Sequence, residues 1–165
     1  MSAPLHNQLP DPIGEAFATR WAARHIDGAM LDRDLTLEAD VVIVGTGAGG
    51  GTTAEILAEA GLAVILLEEG ALQTSRVFQL EERQAYPALY QESAGRKTRD
   101  HGIGILQGRT VGGSTVVNWT TSLRTPEPTL RHWREAHGLT QLTPEALAPW
   151  FAQREQRLAI APWPT

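Results

Sequence analysis

The stretch DVVIVGTGAGGGTTAEILAEAGLAVILLEEG, residues 40–70, decides how this chain is read. Val41-Val42-Ile43-Val44 is β-branched and wholly apolar, the pattern of a strand buried on both faces of a parallel sheet. A glycine-rich turn, Gly45 to Gly51, leads into Thr52 to Ala60, which is rich in helix formers and is closed by Gly61 at the usual C-terminal cap position. Leu62 to Leu67 is a second apolar run, ended by Glu68-Glu69-Gly70. The expected unit is strand–helix–strand with a right-handed crossover, placing the chain in the α/β class.

The turn carries Gly45-x-Gly47-x-x-Gly50. The first glycine permits the sharp turn, the second lets a pyrophosphate approach the backbone, and the third lets helix and strand pack closely. The helix N-terminus adds free N–H groups and the positive end of a dipole. Glu68 stands 18 residues after Gly50, where a carboxylate can accept a ribose hydroxyl. Glu69 competes for that role, but Glu68 directly follows the apolar run. In a chain with 16 glycines the spacing alone is weak, and the order of strand, helix, strand and acid gives it weight. The acid disfavours a 2′-phosphate, which leaves FAD or NAD ahead of NADP.

A second glycine-centred segment runs Gly108-Arg109-Thr110-Val111-Gly112-Gly113-Ser114-Thr115-Val116-Val117-Asn118, read as a loop followed by a strand or short helix. A nicotinamide site has no evident need for it, whereas an extended flavin dinucleotide needs another backbone-rich surface with small polar side chains. With both segments in place, the chain resembles the glucose–methanol–choline oxidoreductase family. The resemblance rests on residues 40–50, on Leu67-Glu68-Glu69-Gly70, and above all on Gly108-Arg109-x-Val111-Gly112-Gly113-Ser114-Thr115-x-Val117-Asn118. His132-Trp133 and residues 147–151 are similar to the helical segment that follows in the family, so the likeness covers roughly residues 39 to 160. After Asn118 the family commonly shows small residues, and this chain departs from it with Trp119-Thr120-Thr121.

The resemblance implies a Rossmann-like FAD-binding fold, with FAD held at its pyrophosphate by Gly45, Gly47 and Gly50 and at its adenosine ribose by Glu68. It places Arg109, Gly112, Gly113, Ser114, Thr115 and Asn118 along the diphosphate and flavin. It also implies oxidation of a small-molecule alcohol by hydride transfer to the flavin, with oxygen, a quinone or a cytochrome as the acceptor. The family's catalytic histidine, with its histidine or asparagine partner, lies near the C-terminus of a much longer chain. No residue here matches that segment, so no catalytic residue is assigned. The expected organisation is an N-terminal extension with a short helix over 1–38, then the N-terminal part of an FAD-binding domain over 39–165. The substrate domain and catalytic segment are absent from it, so the domain is expected to be incomplete, with apolar edges exposed near Val41 to Val44. Such a chain would hold flavin weakly and turn over nothing alone. A fragment of an NAD-dependent Rossmann dehydrogenase and a truncated, inactive product remain the alternatives.

Elsewhere the signals are local. Phe17 to Ile26 is helix-compatible, Asp27-Gly28 marks a turn, and residues 71–107 suggest an irregular or partly helical excursion. Thr125-Pro126-Glu127 and Thr143-Pro144-Glu145 each place a capping hydroxyl before a proline, predicting two helices, the second with a core-facing stripe of Leu147, Trp150, Phe151 and Leu158. His101, His132 and His137 lack a ligand pair or adjacent nucleophile and are read as structural.

Composition bounds the rest. The 165 residues are 42% hydrophobic and 20% charged, a globular balance rather than a disordered or coiled-coil one. A formal charge of −5 with no basic patch argues against nucleic-acid binding. The absence of cysteine excludes disulfides, zinc–thiolate sites and iron–sulfur clusters, and no other metal site is assigned. No run of about 18 apolar residues could span a membrane, and the first residues lack the basic and apolar regions of a signal peptide, so a cytoplasmic location is expected.

Overall fold

The structure, a computed structural model, describes residues 10–162. The chain divides into two compact units, one ending at Asn118 and the other beginning at Trp119. The first unit opens with a short helix, α1 (Pro12–Ala16), with Asp11 as its N-cap accepting from the Gly14 N–H and Pro12 at the first helical position. It runs on as a π turn over Phe17–Trp21 and a 3₁₀ turn over Ala22–Arg24. The helix therefore starts ahead of the expected Phe17, because Asp11-Pro12 is itself a start signal.

Asp11 is only 2% exposed, and its carboxylate also accepts from the Thr74 hydroxyl at 2.7 Å, with the Arg76 guanidinium 3.7 Å away. The Thr74 bond holds the carboxyl below its ordinary range against the opposing effect of burial, helped by the Gly14 N–H, Arg76 and Ser75. These contacts join the N-terminal segment to residues 74–76 within the first unit.

Strand β1 (Val41–Val44) pairs in parallel with β2 (Val64–Leu67), Val41 opposite Val64 and Val44 opposite Leu67. Asp40 pins the start of the pair by accepting the Ala63 N–H at 2.8 Å, and β2 begins at Val64 rather than Leu62. Burial on both faces is not observed. Val41 and Ile43 are half-buried, whereas Val42 and Val44 are 56% and 83% exposed, in line with the expected apolar edge.

Between the strands lies α2 (Ala48–Glu59), which starts four residues before the expected Thr52 and takes Gly49, Gly50 and Gly51 into its first turns. Gly50 explains how: a β-carbon there would sit 2.0 Å from the Gly45 carbonyl oxygen and 3.3 Å from Ile43 Cγ2. Helix and strand are closer than any side chain allows. The helix ends at Ala60, with Gly61 beyond it at φ +89°, as its sequence suggests.

The excursion after β2 contains α3 (Glu82–Leu89), with Pro87 inside it, and returns through antiparallel bridges Lys97–Gly104 and Tyr90–Gly108. This return brings Gln107 and Gly108 to the sheet end.

The second unit holds α4 (Glu127–His137) and α5 (Pro144–Arg157). The two starts differ. Thr143 caps α5 as expected, its hydroxyl accepting the Ala146 N–H at 3.1 Å. In α4 the cap position falls on Pro126, with no side-chain bond, so Thr125 is not the cap. Pro126 is extended (ψ 144°), which delays the helix by one residue. Leu130 is 1% exposed, and Gly138 ends α4 at φ +68°. The expected core stripe on α5 is only partly covered: Leu147 and Phe151 are half-buried, while Trp150 and Leu158 are 62% and 68% exposed. Arg124 grips Glu155 with two nitrogens, each at 2.6 Å. Among the described residues no helix is long and apolar enough to cross a membrane.

The close approach at Gly50 is testable against its neighbour. Gly50→Ala is expected to destabilise the chain by about 1–3 kcal/mol or more, because backbone must move. At Gly51 a β-carbon would meet only the Thr46 carbonyl, at 3.6 Å, so Gly51→Ala should be neutral or stabilising by up to about 1 kcal/mol. Urea melts of the two variants check this, and equal effects would refute the packing account.

Candidate functional site

The carboxyl ends of β1 and β2 open onto a cleft of about 430 Å³, within the usual size range of small-molecule sites. Val44 and Leu67 end the strands there, Gly45, Gly47 and Ala48 form one wall, and Gly113, Ser114 and Thr115 form another. Glu68, Glu69, Gln107 and Gly108 complete it. The two glycine-rich segments, 66 residues apart, are thus brought face to face at the strand ends.

Their meeting is a backbone contact. Gly113 has φ +56°, and a β-carbon on it would lie 2.9 Å from Gly47 Cα. A similar closeness holds behind it, where a β-carbon on Gly70 would lie 2.4 Å from the Arg109 and Thr110 backbone. Thr110, fully buried, donates its hydroxyl to the Ala71 carbonyl at 2.7 Å, and the Val111 N–H joins the same oxygen at 3.1 Å. By contrast, nothing lies within 4 Å of a β-carbon placed on Gly47. As N-cap of α2, Gly47 supplies no side-chain acceptor, so the first-turn N–H groups of a 12-residue helix are left for an anion.

Glu68 is held from three directions. Its Oε2 accepts the Thr46 N–H at 2.9 Å and the Thr46 hydroxyl at 2.6 Å, and its Oε1 accepts the Gly70 N–H at 2.9 Å. Thr46 Oγ1 in turn accepts the Gly112 N–H at 3.0 Å, so one hydroxyl links the strand-end acid to the second loop. Burial opposes ionisation of Glu68, but the Thr46 hydroxyl and the N–H groups of Gly70, Thr46 and Glu69 outweigh it and keep the carboxyl below its ordinary range. Glu69, also at the cleft, is bonded to the Gln91 amide and to Arg109 Nε at 3.3 Å.

Of the residues singled out in the sequence, Gly45, Gly47, Glu68, Gly113, Ser114 and Thr115 line the cleft. Gly50 and Gly112 do not. One packs helix on strand, and the other donates to Thr46. Arg109 stands at the rim through its pair with Glu69, and Asn118 donates its side-chain amide to the Thr115 carbonyl at 3.1 Å. Ser114 accepts the Gly108 N–H at 3.0 Å. The sequence reading passed over Thr46, Gln107 and Thr110. Thr46 and Thr110 occupy variable positions of the two patterns, and only their hydroxyls hint at a role. His132 stacks edge-on against His137 with centroids 5.4 Å apart. Among the described residues no group of three acidic or histidine side chains could hold a metal ion.

Residues 39–165 match the family described as GMC oxidoreductase. Similar proteins include the long-chain-alcohol oxidase FAO4A of Arabidopsis thaliana, 36% identical over 74% of this chain and 17% of that protein. FAO4B of the same plant is 39% identical over 80% of this chain and 18% of its own length. The GMC-type oxidoreductase y4nJ of Sinorhizobium fredii is 36% identical over 78% of this chain and 26% of its own. The chain thus spans about a sixth of the length of the plant relatives.

The Glu68 network gives a pH prediction. A native pKa below the ordinary 4.5 means that the unfolded chain binds more protons between the two values. This stabilisation is complete above about pH 4.5 and is lost as pH falls through the native pKa. Glu68→Gln should cost about 1.5–3 kcal/mol at pH 7, the worth of a hydrogen bond to a charged group. It should also flatten the acid limb of melting temperature against pH. Parallel acid limbs for the two proteins would contradict the bonding described.

Proposed function

This chain belongs to the GMC oxidoreductase family, and on that premise we propose that it forms the FAD-binding part of a flavin-dependent alcohol oxidoreductase. The observation that supports this most is the backbone junction at Gly47 and Gly113, because it builds a cleft with two glycine walls where one wall serves a simple nucleotide. The residues present fit the cofactor: an uncapped helix start for a diphosphate, an ionised acid for a ribose, and small polar side chains beyond.

In this reading Gly45 and Gly47 admit the pyrophosphate to the start of α2, and Glu68 accepts from the adenosine ribose. Gly113, Ser114 and Thr115 line the path towards the flavin, with Asn118 and Arg109 beside it. Gly50 and Gly112 act at one remove, by holding the backbone in place. Bound FAD supplies the hydride acceptor for oxidation of an alcohol to an aldehyde or ketone. Two relatives carry the name long-chain-alcohol oxidase, and we extend that substrate class, alcohols with long alkyl chains, to the whole enzyme.

The proton-accepting step falls to residues outside this cleft. Its acids are Glu68, held ionised by Thr46 and Gly70, and Glu69, engaged with Gln91 and Arg109. Both carboxylates are thus already engaged by donors of the protein itself. In this reading the 165 residues contribute the cofactor site, and no catalytic residue is assigned among them.

Titration of the purified chain with FAD, FMN and NAD, followed by flavin fluorescence and by calorimetry, tests the reading. FAD is expected to bind at least tenfold more tightly than FMN, which lacks the adenosine half, and than NAD. Gly113→Val, which forces a branched side chain into the contact with Gly47, should lower FAD affinity by about tenfold or more, or about 1.4 kcal/mol. Preference for NAD, or indifference to the adenosine half, would sink the proposal.

A further inference from the structure

Asp11 stands ahead of the residues that match the family, yet its carboxylate is buried in the first unit and has no part in the cleft. A buried carboxylate is kept charged only where donors surround it. Its donors come from two places. From its own segment the Gly14 N–H reaches Oδ1 at 3.1 Å. From residues 74–76 come the Thr74 hydroxyl to Oδ2 at 2.7 Å, the Ser75 N–H, and Arg76 Nε at 3.7 Å. Gly14 leaves room for the carboxyl group over the start of α1, because a β-carbon there would lie 2.4 Å from Asp11 Oδ2.

The segment that Asp11 grips also carries the second glycine wall. Three residues before Thr74, the Ala71 carbonyl accepts the Thr110 hydroxyl at 2.7 Å and the Val111 N–H at 3.1 Å. The Thr110 carbonyl in turn accepts the Gly113 N–H at 2.7 Å, and Gly113 is the residue whose backbone meets Gly47. We propose that Asp11 is a positioning residue: it straps residues 71–76 to the N-terminal segment and, through Ala71, holds the wall of Gly113, Ser114 and Thr115 in place against Gly47. The inference rests on the dinucleotide reading of the cleft for its consequence, a site held at the width of its cofactor. A part of the chain outside the family match thereby sets the shape of the site inside it.

Amide hydrogen exchange of the 165-residue chain, followed by NMR without ligand, tests the strap apart from the cofactor. Two amides are compared: Val111, which donates to Ala71, and Gly45, which donates to Leu67 across the sheet. Asp11→Ala and Thr74→Val should each speed exchange at Val111 by about tenfold or more relative to Gly45, the usual worth of a hydrogen bond to a charged group. The double variant should add little to either single one, because both break the same bond. Thr74→Ser should behave as the unmodified chain. Gly14→Ala gives a separate reading. Alanine is the better helix former, so α1 itself gains, but the new methyl displaces the carboxylate and Val111 should still exchange faster. In calorimetric titration with FAD, Asp11→Ala, Thr74→Val and Gly14→Ala should bind about three- to tenfold more weakly than the unmodified chain, within the range of coupling through a packed network. Equal acceleration at Val111 and Gly45, or an unchanged Val111 rate, overturns the strap. Unchanged FAD affinity beside a faster Val111 overturns its hold on the wall and leaves the cofactor reading standing. If the unmodified chain binds no FAD, the cofactor reading falls, and the exchange comparison still decides whether Asp11 holds residues 71–76. Thr74→Val and Gly14→Ala carry the same comparison if Asp11→Ala does not fold.

Discussion

The bonds between the Glu68 carboxylate and Thr46 are what the rest of the first unit depends on. Two strands of four residues cannot form an independently stable sheet. Their ends must be tied by something other than the ladder. The tie is charge-assisted: N–H and hydroxyl of one residue meet one carboxylate oxygen at 2.9 and 2.6 Å. It closes β1 onto the end of β2 and presents the Thr46 hydroxyl to Gly112. The turn after β1, the end of β2 and the loop at 112–115 therefore have one fixed relationship, and the cleft is the space they leave.

Glycine serves two purposes around that space. At Gly50, Gly70 and Gly113 a side chain would collide with backbone, so these positions set how closely segments approach. At Gly47 there is no collision, only room on the open side. The first kind determines the shape of the walls and the second keeps the cleft accessible. A substitution at the first kind costs folding energy, whereas one at the second changes what the cleft can hold.

The strand–helix–strand unit was legible because its signals are local: β-branched runs, glycines at fixed spacing and an acid at a strand end. The glycine segment at 108–118 was equally legible as a pattern. What the sequence could not convey was which side chains serve the ligand and which serve the scaffold. Gly112 and Gly113 are adjacent and identical, yet one donates to Thr46 and the other lines the cleft, a distinction made only by the chain returning through residues 71–107. Thr46 and Thr110 were invisible for the same reason, since their partners lie 22 and 39 residues away. Asp11 was missed although its local signal, an acid before proline, was present. The partner that buries it, Thr74, is 63 residues distant. The α5 stripe failed in the opposite sense, because period alone cannot say whether a face finds a neighbour, and Trp150 and Leu158 stay 62% and 68% exposed.

The spacing of the links made by Thr46 also imposes a sequence of assembly. Thr46 and Glu68 are 22 residues apart, and Thr46 and Gly112 are 66 apart. Loop closure costs more for the longer span, so the acid and hydroxyl are the first to meet. The late loop then docks against a hydroxyl already oriented by its acid, and it contributes one N–H in place of ordering the whole junction. The early half of the cleft is in this sense a mould, and the later half is cast against it.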